Sequence, residues 1–123
     1  PLPAAVLLFV MEEIKKKKML ARIESSGRTL LNKLTEVASR NKVLVSPRGV
    51  GLMLAFDLNE KFFVDGRNPG RELEDKLLSR GVIIQSINRG RTFRIMPNFL
   101  ISLSEINFFI KALRGSLKEI INE

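Results

Sequence analysis

The sequence predicts an α+β domain: a small, mostly antiparallel sheet of about four strands, helices packed on one face, and a long helix in front. Three observations carry that class. Apolar residues recur at helical spacing over Leu20–Arg40 and again after Ser104. Between them LMLAFDL, residues 52–58, alternates Leu52, Leu54, Phe56 and Leu58 with Met53, Ala55 and Asp57, the pattern of a strand with one buried face. The segments follow in the order helix, helix, strand, strand, helix, strand, strand, helix, which suits a sheet covered on one side. At 123 residues the chain is one domain with one core. Within it, residues 1–19 read as a connecting helix and 20–123 as the α+β layer.

Leu2 to about Met19 is predicted as a helix, since Ala4, Ala5, Val6, Leu7 and Leu8 include good helix formers and no glycine interrupts them. Its start is apolar nearly all round, as in a helix covered on several sides. Its end carries Glu12 and Glu13 ahead of Lys15–Lys18, spaced for i,i+3 and i,i+4 pairs. The second helix, Leu20–Arg40, has its stripe at Leu20, Ile23, Gly27, Leu30, Leu31, Leu34, Val37 and Ala38. Lys42–Val45 is a short β-rich run ended by Ser46-Pro47. RGVG at 48–51 then serves a tight reversal or bulge before the strand at 52–58. Asn59–Gly66 is a loop. Asn68 is an N-cap with Pro69 at the first helical position, Leu73, Leu77 and Leu78 form the buried stripe, and Gly81 stops the helix after Arg80. Strands follow at Val82–Ile87 and Thr92–Met96 across the Asn88–Gly90 turn. Ser102-Leu103-Ser104-Glu105 is a capping box, opening a helix whose inner face is Ile106, Phe109, Ile110, Leu113, Leu117 and Ile120.

Composition narrows the chemistry. With no histidine and no cysteine, the chain has no histidine-based triad, no thiolate metal site and no disulfide, and it suits a reducing compartment. Hydrophobic residues make up 45% of the chain, yet no apolar run reaches the length of a bilayer span, and Leu2–Val10 lacks the basic leader of a secretory signal. A soluble protein is expected. The first residue is Pro1 rather than Met, as in a processed chain or a piece of a longer protein. The net charge of +8 raises nucleic acid or acidic surfaces as partners. Lys15–Lys18 read more simply as a solvated helix end whose cations favour the C-terminal dipole.

RGVG, with Arg48, Gly49 and Gly51, lacks the Lys-Ser/Thr ending and the following helix of a phosphate cradle. Arg89 and Arg91 bracket Gly90 at a hairpin tip, where solvated cations and phosphate contacts are both possible. Arg94 differs from these. In RTFRIMPNFL, residues 91–100, Phe93 and Ile95 point to one face of the strand, while Thr92, Arg94 and Met96 point to the other. A guanidinium there forms either a structural salt bridge or a clamp for a ligand carboxylate.

Four segments in order resemble the class-III pyridoxal-phosphate-dependent aminotransferases. PLPAAVLLFVMEEI resembles the family's Asn-Pro-Leu-Ala-Ala-Ala…Leu…Val-Ile-Glu helix, and SPRGVGLMLAFDL its Arg-Gly-x-Gly-Leu-Met-Leu-Gly-Ile-Glu-Leu segment. LLSRGVII at 77–84 is similar to Leu-Leu-x-x-Gly-Val-Leu/Ile, and FRIMPNFLIS at 93–102 to Leu-Arg-Ile/Phe-x-Pro-Pro-Leu-x-Ile-Ser/Thr. Asn98 stands for the second proline and Ala55 for the usual glycine. The resemblance implies the C-terminal small domain of a cytoplasmic, homodimeric transaminase that uses pyridoxal 5'-phosphate. The Schiff-base lysine and the other cofactor contacts would lie upstream, leaving no catalytic or cofactor-binding residue in this chain. It implies Arg94 as the residue that binds the carboxylate of an amino-acid or 2-oxo-acid substrate. The Arg48–Gly51 segment would support the nearby mouth of the site. The alternative from another class is a basic α+β module for nucleic acid, motivated by the +8 charge and by Arg89, Arg91 and Arg94 near one hairpin.

Overall fold

A computed structural model describes residues 1–122. It contains α1 (Leu2–Lys16), α2 (Met19–Arg40), β1 (Leu44–Val50), β2 (Met53–Leu58), α3 (Pro69–Ser79), β3 (Ser86–Ile87), β4 (Thr92–Ile95) and α4 (Leu103–Asn122), with a 3-10 turn at Glu60–Phe62. The strands form one antiparallel sheet in the order β1-β2-β4-β3. The expected α+β class is therefore the observed one. No helix among the described residues is long and apolar enough to cross a membrane.

One face of the sheet makes the core. Leu44, Leu54, Phe56, Leu58, Phe93 and Ile95 bury against Leu30, Leu34 and Val37 of α2, Leu73 and Leu77 of α3, and Ile106, Ile110, Leu113, Leu117 and Ile120 of α4. The period-two alternation of β2 and the 3.6-residue spacing of the helices meet in this single layer. Across it, Phe56 and Phe93 stand opposite each other on β2 and β4, ring centroids 5.1 Å apart and 9° from parallel.

The local signals act as their chemistry requires. Asn68 caps α3, its side chain accepting from Arg71 N at 3.1 Å, with Pro69 behind it. Ser102 and Glu105 form the reciprocal capping box: Ser102 N donates to Glu105 Oε2 at 2.8 Å and Glu105 N to Ser102 Oγ at 3.1 Å. Lys17 pairs with Glu13 at 3.1 Å, and the left-handed Lys18 (φ 48°) separates α1 from α2. Helix α1 buries no residue: Leu7, Leu8 and Phe9 are each 60% or more exposed.

The largest differences from the sequence reading fall in β1, in β3 and in the loop after β2. β1 does not end at Ser46-Pro47. It runs on to Val50 through a bulge between Val45 and Arg48, because Ser46 at φ 53° absorbs the extra residue. The reversal thus falls at Gly51-Leu52, and Arg48 and Gly49 belong to the strand. β3 keeps only Ser86–Ile87 of the expected Val82–Ile87, and Arg94 and Ile95 of β4 pair with β2 alone. The loop after β2 contains the 3-10 turn, capped by Asn59 accepting from Lys61 N.

Two helices rest on turns with no side chain between. A Cβ on Gly27 of α2 would lie 2.0 Å from Gly51 O, and one on Gly70 of α3 would lie 2.0 Å from Gly90 O. Gly70→Ala must push α3 off the β3–β4 turn, and its unfolding free energy is expected to fall by about 2 kcal/mol or more. A denaturant midpoint equal to the parent's would refute that packing.

Arg67 Nε and Nη2 grip Glu72 at 2.7 and 2.8 Å, and Nη2 also donates to Ile120 O at 3.0 Å, tying the loop to the end of α4. The Arg67 hydrogen bonds, opposed by desolvation and helped by the charges of Arg67 and Lys76, hold the Glu72 carboxyl below its usual pKa. A carboxyl lowered on folding adds stability above its unfolded pKa and loses it as pH falls through the folded value. Glu72→Gln is expected to be less stable than the parent at pH 7, with the gap closing in the acid limb of a stability–pH profile. A gap independent of pH would show that the ion pair is not its source.

Candidate functional site

The opposite face of the sheet is open. Val50 is 85% and Met53 70% exposed there, and the register arranges the remaining side chains in rows. Arg48 of β1 and Arg94 of β4 stand opposite Ala55 of β2 from its two sides. In the next row Asp57 stands opposite Val45 on one side and Thr92 on the other, and Thr92 in turn opposite Ile87.

Arg94 reaches this face because Phe93 and Ile95 are drawn into the core on either side of it. β4 stops directly afterwards: Pro97 cannot donate to a ladder and biases Met96 toward extended backbone. The guanidinium therefore sits at the exit of a strand. Among the described residues it has no hydrogen-bond or ion-pair partner. It borders a cavity of about 550 Å³ whose other lining includes Met96, Pro97, Ile83, Ser86, Ile87 and, deeper, Leu30 and Phe109. This is an apolar hollow with one cation at its edge. Of the two roles left open for Arg94, the internal salt bridge has no counterpart in the structure.

Arg48 is the contrary case. Its Nη1 and Nη2 donate to Asp57 Oδ2 and Oδ1 at 2.9 and 3.2 Å, and Nη1 also donates to Ser46 O at 2.9 Å. Thr92 Oγ1 adds a bond to Asp57 Oδ1 at 2.8 Å. Gly49 (φ 147°) and Gly51 (φ 55°) take backbone conformations that a side chain disfavours, and a Cβ on Gly49 would lie 2.3 Å from Met53 O. The glycines of RGVG thus serve the close β1–β2 approach.

The hairpin arginines diverge. Arg91 Nε donates to Glu60 at 2.8 Å and its guanidinium lies 4.6 Å from the Phe63 ring centroid, while Arg89 stays in the turn at φ 56°. With Arg91 engaged by Glu60 and Phe63, the three arginines do not form one free basic cluster. Sequence reasoning missed Asp57 and Thr92, which became neighbours only through the β2–β4 pairing. It also missed Glu74 of α3, whose Oε1 accepts from both Ser86 N and Ser86 Oγ and pins the edge of the cavity. The outward position of Asp57 in LMLAFDL was the available signal for the first. Nothing local marked Glu74.

Residues 1–117 match the model of the family described as aminotransferase class-III. An acetylornithine aminotransferase of Prochlorococcus marinus subsp. pastoris is 25% identical over 114 residues, which is 92% of this chain and 26% of that protein. A solved lysine aminotransferase from M. tuberculosis superposes with a TM-score of 0.77 at 30% identity, over 90% of this chain and 24% of that one. The fold is also that of a Plasmodium falciparum ornithine delta-aminotransferase, with a TM-score of 0.85 at 21% identity over 99% of this chain and 30% of that one. The chain spans about a quarter of the length of the relatives it matches. With the family model covering nearly all of it, this chain belongs to the class-III aminotransferases.

Proposed function

We propose that the chain is the C-terminal small domain of a pyridoxal-phosphate-dependent transaminase, with residues 1–19 connecting it to an upstream cofactor-binding domain. The parent, a cytoplasmic homodimer, moves an amino group between an amino acid or ω-amine and a 2-oxo acid such as 2-oxoglutarate. Arg94 is the substrate-binding residue. The observation that carries this is its unpartnered guanidinium on the open sheet face, at the edge of an apolar cavity. A planar fork beside an apolar wall is an arrangement that favours a carboxylate, held bidentately. Fixing that carboxylate orients the rest of the substrate for reaction.

The described residues do not fit the cofactor by themselves. No lysine lines the cavity beside Arg94, and Lys15–Lys18 lie exposed at the end of α1. An aldehyde cofactor needs a desolvated amine, so that group belongs to the upstream domain in this reading. When bound, the cofactor supplies the electron sink for amino transfer. The contribution of this chain is to bind and orient. The exposed apolar stretch Leu2–Met11 supports the same division, because an apolar helix with no cover in its own chain needs one elsewhere.

In the full-length protein, Arg94→Lys replaces the fork with a point charge. We expect kcat/KM for 2-oxoglutarate to fall about tenfold or more, with the absorbance of the bound cofactor unchanged. Unaltered kinetics would overturn the role of Arg94. The 123-residue chain alone is expected to self-associate through α1, to be inactive and to form no 1:1 Schiff base with pyridoxal phosphate. A monomer in sedimentation, or a stoichiometric adduct in the absorption spectrum, would contradict the division between domains.

A further inference from the structure

Asp57 is the only carboxylate borne by the four strands. It lies opposite Thr92, two residues from Arg94 along β4, and two residues from Ala55, which faces Arg48. Asp57 is therefore diagonal to both arginines of the open face. Diagonal neighbours on an antiparallel sheet are about 7–8 Å apart at Cα, within reach of a long side chain. Two guanidinium groups can compete for one carboxylate, and only one has it.

The sequence of β1 decides which. The bulge at Ser46-Pro47 re-aims the strand, and Ser46 O accepts from Arg48 Nη1 at 2.9 Å, so the fork is oriented before it meets Asp57. Arg48 then takes both carboxylate oxygens and Thr92 adds a third bond from the β4 side. We infer that Arg48 is a positioning residue: with Thr92 it holds Asp57 away from Arg94, and so keeps the guanidinium at the cavity free for a ligand carboxylate. The inference rests on the reading of Arg94 as that clamp. It gives Arg48 a role through its partner, without contact to substrate.

Removal of Arg48 leaves Asp57 with Thr92 alone. Arg91, which borders the same hollow as Asp57, is already held by Glu60, and Arg94, diagonal on β4, is the unpaired guanidinium left to take the carboxylate. A tethered carboxylate competes at an effective concentration of about millimolar or more against a diffusing one. Loss of Arg48 should therefore resemble loss of Arg94, and deletion of the Asp57 charge should repair it. A role in stability alone predicts no such repair of binding.

The test uses the full-length protein and glutarate, an unreactive dicarboxylate, with Kd measured by calorimetry so that turnover plays no part. Arg48→Ala is expected to weaken glutarate binding about tenfold, a difference of about 1.4 kcal/mol. The double variant Arg48→Ala with Asp57→Asn should return to within about threefold of the parent, a non-additivity that only coupled residues show. Arg48→Gln, which keeps the length of the side chain, serves if the alanine variant does not fold. Unchanged affinity in Arg48→Ala, or a double variant as weak as the single one, overturns the inference. Arg94→Ala separates the two levels: if it leaves glutarate binding intact, the proposed function falls as well, whereas weakened binding without repair in the double variant overturns the inference alone.

Discussion

Phe56 and Phe93 stack across the middle of the sheet, and the relative placement of the outward side chains of β2 and β4 follows from that contact. The ring pair holds β2 and β4 in the register that sets Ala55 opposite Arg94 and Asp57 opposite Thr92. A slip of one residue would invert the alternation of β4, placing Arg94 among the leucines of the helices and Phe93 in water. An unpaired guanidinium buried there would cost several kcal/mol. The aromatic pair and the arginine thus select the same register, one by attraction and the other by exclusion.

The distribution of cations follows a comparable rule. With 21 Lys and Arg against 13 Asp and Glu, the chain has more cations than carboxylates, and the net charge alone does not tell which side chains are free. The structure does so by geometry. Arg67 with Glu72 and Arg80 with Glu119 fasten α3 and its approach to α4, and Arg91 with Glu60 fastens the turn to the loop after β2. These are staples between elements. Most are partly exposed and so individually modest in energy, but each fixes a distance. Arg94 stands outside this scheme, as Arg71 and Arg89 do among the described residues, and its place at the edge of the apolar cavity is what distinguishes it.

Much of the fold was legible in the sequence because its signals were local. The caps at Asn68 and Ser102, the alternation at 52–58 and the stripe of α4 each depend on a few neighbouring residues. The path of β1 was not legible. A proline usually ends a strand, and the conformation of Ser46 that lets the ladder resume beyond Pro47 has no marker in its own side chain. The outward orientation of Arg94 could be read from Phe93 and Ile95. Whether a partner awaited it could not, because the answer lay on β2, some forty residues earlier. The capture of Asp57 by Arg48 likewise exists only once three strands are assembled.

The contact between Gly27 and Gly51 has a mechanical consequence. At Gly27 no side chain separates helix from sheet, so there α2 rides directly on the β1–β2 reversal, while Leu30, Leu34 and Val37 pack it against the core further along. By contrast α1 meets α2 through one left-handed residue, Lys18, and buries nothing of its own. Bending is therefore concentrated at that joint. A displacement delivered through α1 is taken up at Lys18 or carried by α2 and the sheet as one rigid piece, with Arg48, Asp57 and Arg94 keeping their mutual distances as they move.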